Sequence, residues 1–148
     1  MNADELRALQ TPLKEEYRNT PETAWVTLRA EGHAGEGVTC KVGTSKGLVE
    51  AGLHAATGGT GMAACSSDML LEALVACSGV TLTAVATALG IELRHATVKA
   101  EGDLDFRGTL GVSKEVPVGF QNIRLTFVLD TDATEEQIAT LLKLTERY

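Results

Sequence analysis

The chain has 148 residues, a formal net charge of −7, and 44% hydrophobic but only 4% aromatic residues. That length is enough for one domain with its own core, and the apolar content excludes long disorder. The acidic balance, with no basic stripe, argues against nucleic acid as the main partner.

The first residues, MNADELRALQ, carry acids early and no apolar signal core, so no secretory signal is expected. Leu6, Leu9 and Leu13 keep helical spacing over residues 3 to about 19, with Pro12 expected to interrupt or kink the helix. The segment is polar enough to be an arm packing on something else, or a frayed tail. Residues 1–22 are therefore read as an N-terminal helical arm, and 23–148 as a single α+β domain.

From Ala24 to Glu31 apolar and polar residues alternate, which predicts a strand. HAGEG then turns, Val38 to Val42 returns as a hairpin partner, and a third short strand runs through Gly47 to Glu50. Gly52 to Cys65 is glycine-rich and reads as a loop. The strongest element follows, SSDMLLEALVACSGVTLTAVATALG. Ser66 or Ser67 is placed as its N-cap, Asp68 in its first turn, and Gly90 at its C-terminal end. It is apolar nearly all round, so it is expected to lie buried in the middle of the fold. Glu72, Ser78 and three threonines interrupt it, so it is not expected to span a membrane. Gly79, at mid-helix, costs about 1 kcal/mol against alanine and asks for a close neighbour.

Downstream, Ala96, Val98, Ala100, Leu104 and Phe106 alternate with polar residues in a long strand. Arg107 to Val118 is a turn or hairpin tip. Gly119 to Asp130 is another strand, with Ile123, Leu125, Phe127 and Leu129 on one face. Thr134-Glu-Glu-Gln137 is a capping-box sequence. It opens a helix whose apolar stripe is Ile138, Leu141, Leu142 and Leu144. Strands gather before and after a central helix, an α+β order.

Three cysteines, Cys40, Cys65 and Cys77, form no secreted disulfide framework and suggest a reducing, cytoplasmic compartment. Cys40 is expected in the core. Cys77, inside the apolar helix, is either a small packing side chain or a reactive thiol. Cys65 precedes the helix N-terminus, where the dipole favours negative charge. Twelve helical residues span about 18 Å, so Cys65 and Cys77 of one chain should not pair, whereas pairing between copies is geometrically open. Arg29, Lys46 and His54 are candidate cations for a thiol. The three histidines show no metal-ligand spacing, and GGTGMA lacks the lysine of a phosphate loop.

The stretch GGTGMAACSSDMLLEALVACSG resembles the signature of the OsmC/Ohr family, with Asp68, Leu70, Leu71, Ala73, Leu74, Ala76 and Cys77 in the pattern of an acid followed by LLxALxAC. The two long strands and the terminal helix fit the same family. The resemblance implies antiparallel strands around the central helix, an intertwined homodimer, and active sites at the subunit interface. It implies reduction of organic hydroperoxides by a cysteine matching Cys77, recycling by a dithiol, and no metal, flavin or haem. Asp68 and Cys65 are the other candidate catalytic residues. Two departures stand out. The family's second cysteine would follow Tyr148, and the family's arginine has no counterpart between Arg29 and Arg94. They leave open an alternative, a non-catalytic protein binding an apolar small molecule at the dimer interface.

Overall fold

The structure, a computed structural model, describes residues 2–20, 31–34, 39–43, 47–111 and 113–148. Their elements in chain order are α1 (Ala3–Asn19), β1 (Glu31–Ala34), β2 (Thr39–Gly43), β3 (Leu48–Gly52), a single 3₁₀ turn (Ala55–Thr57), β4 (Ala64–Cys65), α2 (Ser66–Leu89), β5 (His95–Leu104), α3 (Phe106–Thr109), β6 (Phe120–Asp130) and α4 (Glu135–Arg147). This is the α+β order expected from the sequence. The expected strand over Ala24–Ala30 lies outside the described residues, as do Arg29, Lys46 and the side chain of Cys40.

Reciprocal bonds between Asn2 and Glu5 cap α1, each backbone N–H donating 2.9 Å to the other's side chain. The helix then runs in one piece through Pro12, which kinks at most and does not end it.

The chain forms two compact units, one of Met1–Leu28, Ala76–Val98 and Phe127–Tyr148, the other of Arg29–Val75 and Lys99–Thr126. In the second unit β1 and β2 pair antiparallel from Glu31↔Gly43 to Ala34↔Cys40, and β2 and β3 from Thr39↔Gly52 to Gly43↔Leu48. The two-residue β4 joins β3 in parallel, Ala51↔Ala64 and Gly52↔Cys65. The connection between β3 and β4 folds back tightly, since a Cβ on Gly59 would stand 1.8 Å from the Leu53 carbonyl oxygen. Only glycine fits there.

In the first unit the core is Leu82, Ala86 and Leu141, at 1%, 3% and 0% exposure. Val85, Ile91, Leu93, Val98, Phe127, Leu129 and Leu142 pack around it. The C-terminus of α2 closes in a Schellman turn. Gly90 takes a left-handed φ of 68°, its N–H reaches the Thr87 carbonyl at 3.2 Å, and the Ile91 N–H reaches the Ala86 carbonyl at 2.9 Å. That turn delivers Ile91 to the core. α4 carries the expected capping box, the Thr134 N–H donating to Gln137 Oε1 at 2.9 Å and the Gln137 N–H to Thr134 Oγ1 at 3.3 Å.

Arg94 is near Asp130, while Asp103 is near Arg124, so the hydrogen-bonded strands β5 and β6 run antiparallel. β5 stops at Leu104, two residues short of the expected Phe106. Asp105 caps α3, its side chain accepting the Arg107 N–H at 3.0 Å. The expected hairpin tip therefore begins as a short helix.

Two expectations for α2 need correction. The helix starts at Ser66, so Cys65 and not a serine precedes it. It is not buried all round; only Leu82 and Ala86 are buried, while Leu70 and Val80 are 56% and 70% exposed. Among the described residues, packing covers one side of this 24-residue apolar helix. α2 is also long and apolar enough to cross a membrane by length and composition, its mean hydropathy reaching 1.8. Leu82 and Ala86 place it instead as the core helix of the first unit.

Gly79 meets no tight neighbour, because a Cβ there would lie 4.0 Å from Val98 Cγ2, an ordinary contact. Gly79→Ala is therefore expected to stabilise the chain by up to about 1 kcal/mol, read as a higher urea midpoint at unchanged slope. A lowered midpoint would mean that this helix face is closely covered from outside the chain.

Candidate functional site

Apolar residues at helical spacing make α2, and α2 sets the axial positions of the three candidate residues. Cys65 ends β4 and is half-buried, Asp68 lies exposed in the first turn, and Cys77 is exposed further along. Cys65 and Cys77 are both free thiols. Nine residues of rise, about 14 Å, separate Asp68 from Cys77. One chain thus brings Cys65 and Asp68 together at the helix start and leaves Cys77 apart from both.

The surface around Cys77 is apolar. Ala76 and Val80 are exposed beside it. The Thr83 hydroxyl turns back to donate to the Gly79 and Val80 carbonyls at 3.1 and 2.9 Å, and Thr87 to the Thr83 carbonyl at 2.8 Å. These hydroxyls are satisfied within the helix, and α2 carries no charged residue after Glu72. Cys77 was expected to be a buried sulfur; in the single chain it is exposed. Among the described residues nothing hydrogen-bonds its thiol.

Three arginines are engaged elsewhere. Arg94 forks onto Asp130, its Nε and second guanidinium nitrogen lying 2.9 and 2.5 Å from Oδ1, and reaches Asp132 at 2.5 Å. Arg107 pairs with Asp105 at 2.5 Å, and Arg124 bridges Asp103. Hydrogen bonding from these guanidiniums holds the Asp130, Asp105 and Asp103 carboxyls below the ordinary carboxylate range, and the carboxylates raise the arginines in return. All three pairs are at least partly exposed, so their worth is modest.

His54 is not offered as a cation in this geometry. Its Nδ1 accepts the Ala56 N–H at 3.0 Å, a bond that only the neutral ring makes. Its ring stacks on Phe106 at 5.1 Å between centroids and 18° between planes. Sequence reasoning missed this stack, because the partners lie far apart in the chain and no local pattern joins them. It missed the Arg94 clamp for the same reason.

A cavity of about 290 Å³ opens beside Arg94, between Gly90, Glu92, Thr131, Asp132 and Gln137, and includes none of Cys65, Asp68 and Cys77. Among the described residues no three His, Cys, Asp or Glu side chains gather as a metal site.

Solved structures share this fold. An OsmC-like protein from Mycoplasma pneumoniae is 14% identical, with a TM-score of 0.69 over 82% of each chain. An organic hydroperoxide resistance protein OsmC from Legionella pneumophila is 20% identical, with a TM-score of 0.61 over 82% of this chain and 83% of that one. The organic hydroperoxide resistance protein of Bacillus subtilis is 19% identical, with a TM-score of 0.53 over 82% and 84%. No curated protein sequence matches the chain. The family model of the OsmC-like proteins matches residues 59–148, more than half of the chain and the whole of α2 with Cys65, Asp68 and Cys77, so the chain belongs to the OsmC-like family.

Proposed function

We propose that the chain is a thiol-dependent peroxidase that reduces organic hydroperoxides through Cys77. The observation that carries this reading is a free, solvent-exposed thiol on the long helix of an OsmC-like fold. Two of the structural relatives are named organic hydroperoxide resistance proteins.

The thiolate of Cys77 attacks one oxygen of the hydroperoxide. The O–O bond breaks, the alcohol leaves with a proton, and the sulfur is oxidised to a sulfenic acid. A second thiol condenses with that acid, releasing water and forming a disulfide. A dithiol then reduces the disulfide and restores Cys77. Cys65 serves as the second thiol from another copy, since the helix separates it from Cys77 within one chain. Asp68 stabilises the first turn of α2 beside Cys65 by complementing the helix dipole. No metal, flavin or haem takes part. The setting is cytoplasmic, in the response to oxidative stress, with residues 1–22 as an arm on a domain of residues 23–148.

The working form is an intertwined homodimer. Its support is the uncovered apolar surface of the single chain, where Met62, Val80 and Val118 are 91%, 70% and 71% exposed. Isolated soluble chains rarely leave so much large apolar surface open. A second copy also has to bring the positive or donor group that the described residues of one chain do not offer to Cys77.

The test is steady-state consumption of cumene hydroperoxide by the reduced protein with dithiothreitol as reductant. Turnover exceeding that with hydrogen peroxide is expected. A second reading draws on the engagement of Arg94, Arg107 and Arg124 by carboxylates. It is a non-catalytic protein that holds an apolar small molecule at the dimer interface. No dithiol-linked consumption, with saturable binding of such a molecule, would favour it and overturn the peroxidase.

A further inference from the structure

α2 is one unbroken helix from Ser66 to Leu89, with Cys65 at its foot and Cys77 twelve residues further on. Helical rise sets their Cα atoms about 18 Å apart, whereas a disulfide needs them within about 7 Å. A bridge inside one chain would require the first half of α2 to unwind. Both thiols are nevertheless free, and both are open to solvent in part or in full. Whatever bridge they make joins two copies.

The two sulfurs differ in access. Cys77 is exposed, with exposed Ala76 and Val80 beside it and no charged residue on α2 after Glu72. Cys65 is half-buried, its backbone paired with Gly52 of β3. An apolar oxidant therefore meets Cys77 first, and Cys65 is held back as the second thiol. Two identical chains that set Cys65 of one against Cys77 of the other do so twice, because the contact is self-complementary.

We propose that the protein is a redox switch in which hydroperoxide joins two copies through two disulfides, each between Cys77 of one copy and Cys65 of the other. This rests on the reading that hydroperoxide oxidises Cys77, and it names the state that the oxidised protein reaches. At each site the Cys77 sulfur takes one oxygen from the hydroperoxide, the O–O bond breaks, and the alcohol leaves. The Cys65 thiol of the second copy then attacks that sulfur. The S–O bond breaks, and its hydroxyl leaves as water with the thiol proton. Two hydroperoxides are reduced and four thiols oxidised in each linked pair, and a dithiol reverses the linkage. The bridges tie β4, a strand held only by Ala51↔Ala64 and Gly52↔Cys65, to the long helix of the other copy. A linked pair no longer dissociates, so its melting temperature stops depending on protein concentration.

The experiment treats reduced wild-type protein with cumene hydroperoxide in the absence of dithiol and blocks remaining thiols by alkylation. The product is run on a denaturing gel without reductant, and its peptides are weighed. A band of twice the chain mass is expected, containing the Cys65 and Cys77 peptides joined by a disulfide and lost on adding dithiothreitol. Co-expressed Cys65→Ser and Cys77→Ser chains should still form that joined peptide, since each supplies the thiol that the other lacks. The melting temperature of the oxidised wild type should hold constant over about a hundredfold dilution, whereas that of the reduced protein falls. A joined peptide in the single-chain band would put the bridge inside one chain and overturn the switch. So would an oxidised melting temperature that falls with dilution. Should the serine variants not fold, the wild-type gel and peptides decide alone. Dimedone separates the two failures. A Cys77 adduct without any joined peptide sinks the switch and leaves the peroxidase, whereas an unoxidised Cys77 sinks both.

Discussion

Replacing Cys77 by serine is expected to remove hydroperoxide consumption by a thousandfold or more, roughly, down to the uncatalysed reaction of dithiol with peroxide. A serine hydroxyl of nearly the same size keeps the helix and its apolar face, but it does not ionise near neutrality and has no oxidation state to cycle through. The size of the effect follows from chemistry rather than packing, since Cys77 is exposed and supports no core contact in the single chain. The melting temperature of Cys77→Ser should therefore stay close to wild type while the rate collapses. Cys65→Ser should behave differently, consuming one equivalent of hydroperoxide per chain and then recycling slowly. Turnover of Cys77→Ser at the wild-type rate would assign the chemistry to another residue.

The largest effect on stability is expected at Leu141, which is fully buried where α4 meets Leu82 and Ala86 of α2. Leu141→Ala removes three carbons from the centre of a small core and leaves a cavity that neither helix can collapse to fill. A cost of about 2–5 kcal/mol follows, equivalent to a loss of roughly 5–15 °C in melting temperature for a chain of this size. The core of the first unit has only three buried apolar residues among those described, so little remains to compensate. Urea unfolding of wild type and variant measures the difference directly. A cost below about 1 kcal/mol would show that the α2–α4 contact is not what holds this unit together.

The sequence made the regular elements legible wherever a local pattern was strong. A run that is apolar nearly all round marked α2 and an apolar stripe at helical spacing marked α4, Gly90 marked the end of the first, and Thr134 with Gln137 marked the start of the second, because capping chemistry is confined to one turn. β5 was read two residues too long because Phe106 continues the alternation, while the Asp105 cap that ends the strand needs the backbone geometry to be seen. The burial of α2 was misjudged for a different reason. An apolar helix reveals that something covers it, and not that the cover comes from its own chain.

The candidate site was legible to the same extent. Cys65, Asp68 and Cys77 stand in one short motif, and their axial separations follow from helical rise alone. What the motif could not reveal was long-range, namely that Arg94 is held by Asp130 and Asp132 and that His54 stacks on Phe106. Both pair residues more than thirty positions apart along the chain. Arg94 and Arg124 are held by carboxylates distant in the chain, which no local pattern reveals.

The central claim is that the sulfur on α2 is the atom that peroxide meets first. Reduced protein is given one equivalent of cumene hydroperoxide in the presence of dimedone, a reagent that captures sulfenic acids, and its peptides are weighed. The account predicts a single dimedone adduct on the peptide carrying Cys77, formed in step with loss of the hydroperoxide. An unmodified Cys77 peptide beside consumed hydroperoxide, or an adduct on Cys65 or Cys40 instead, would contradict it.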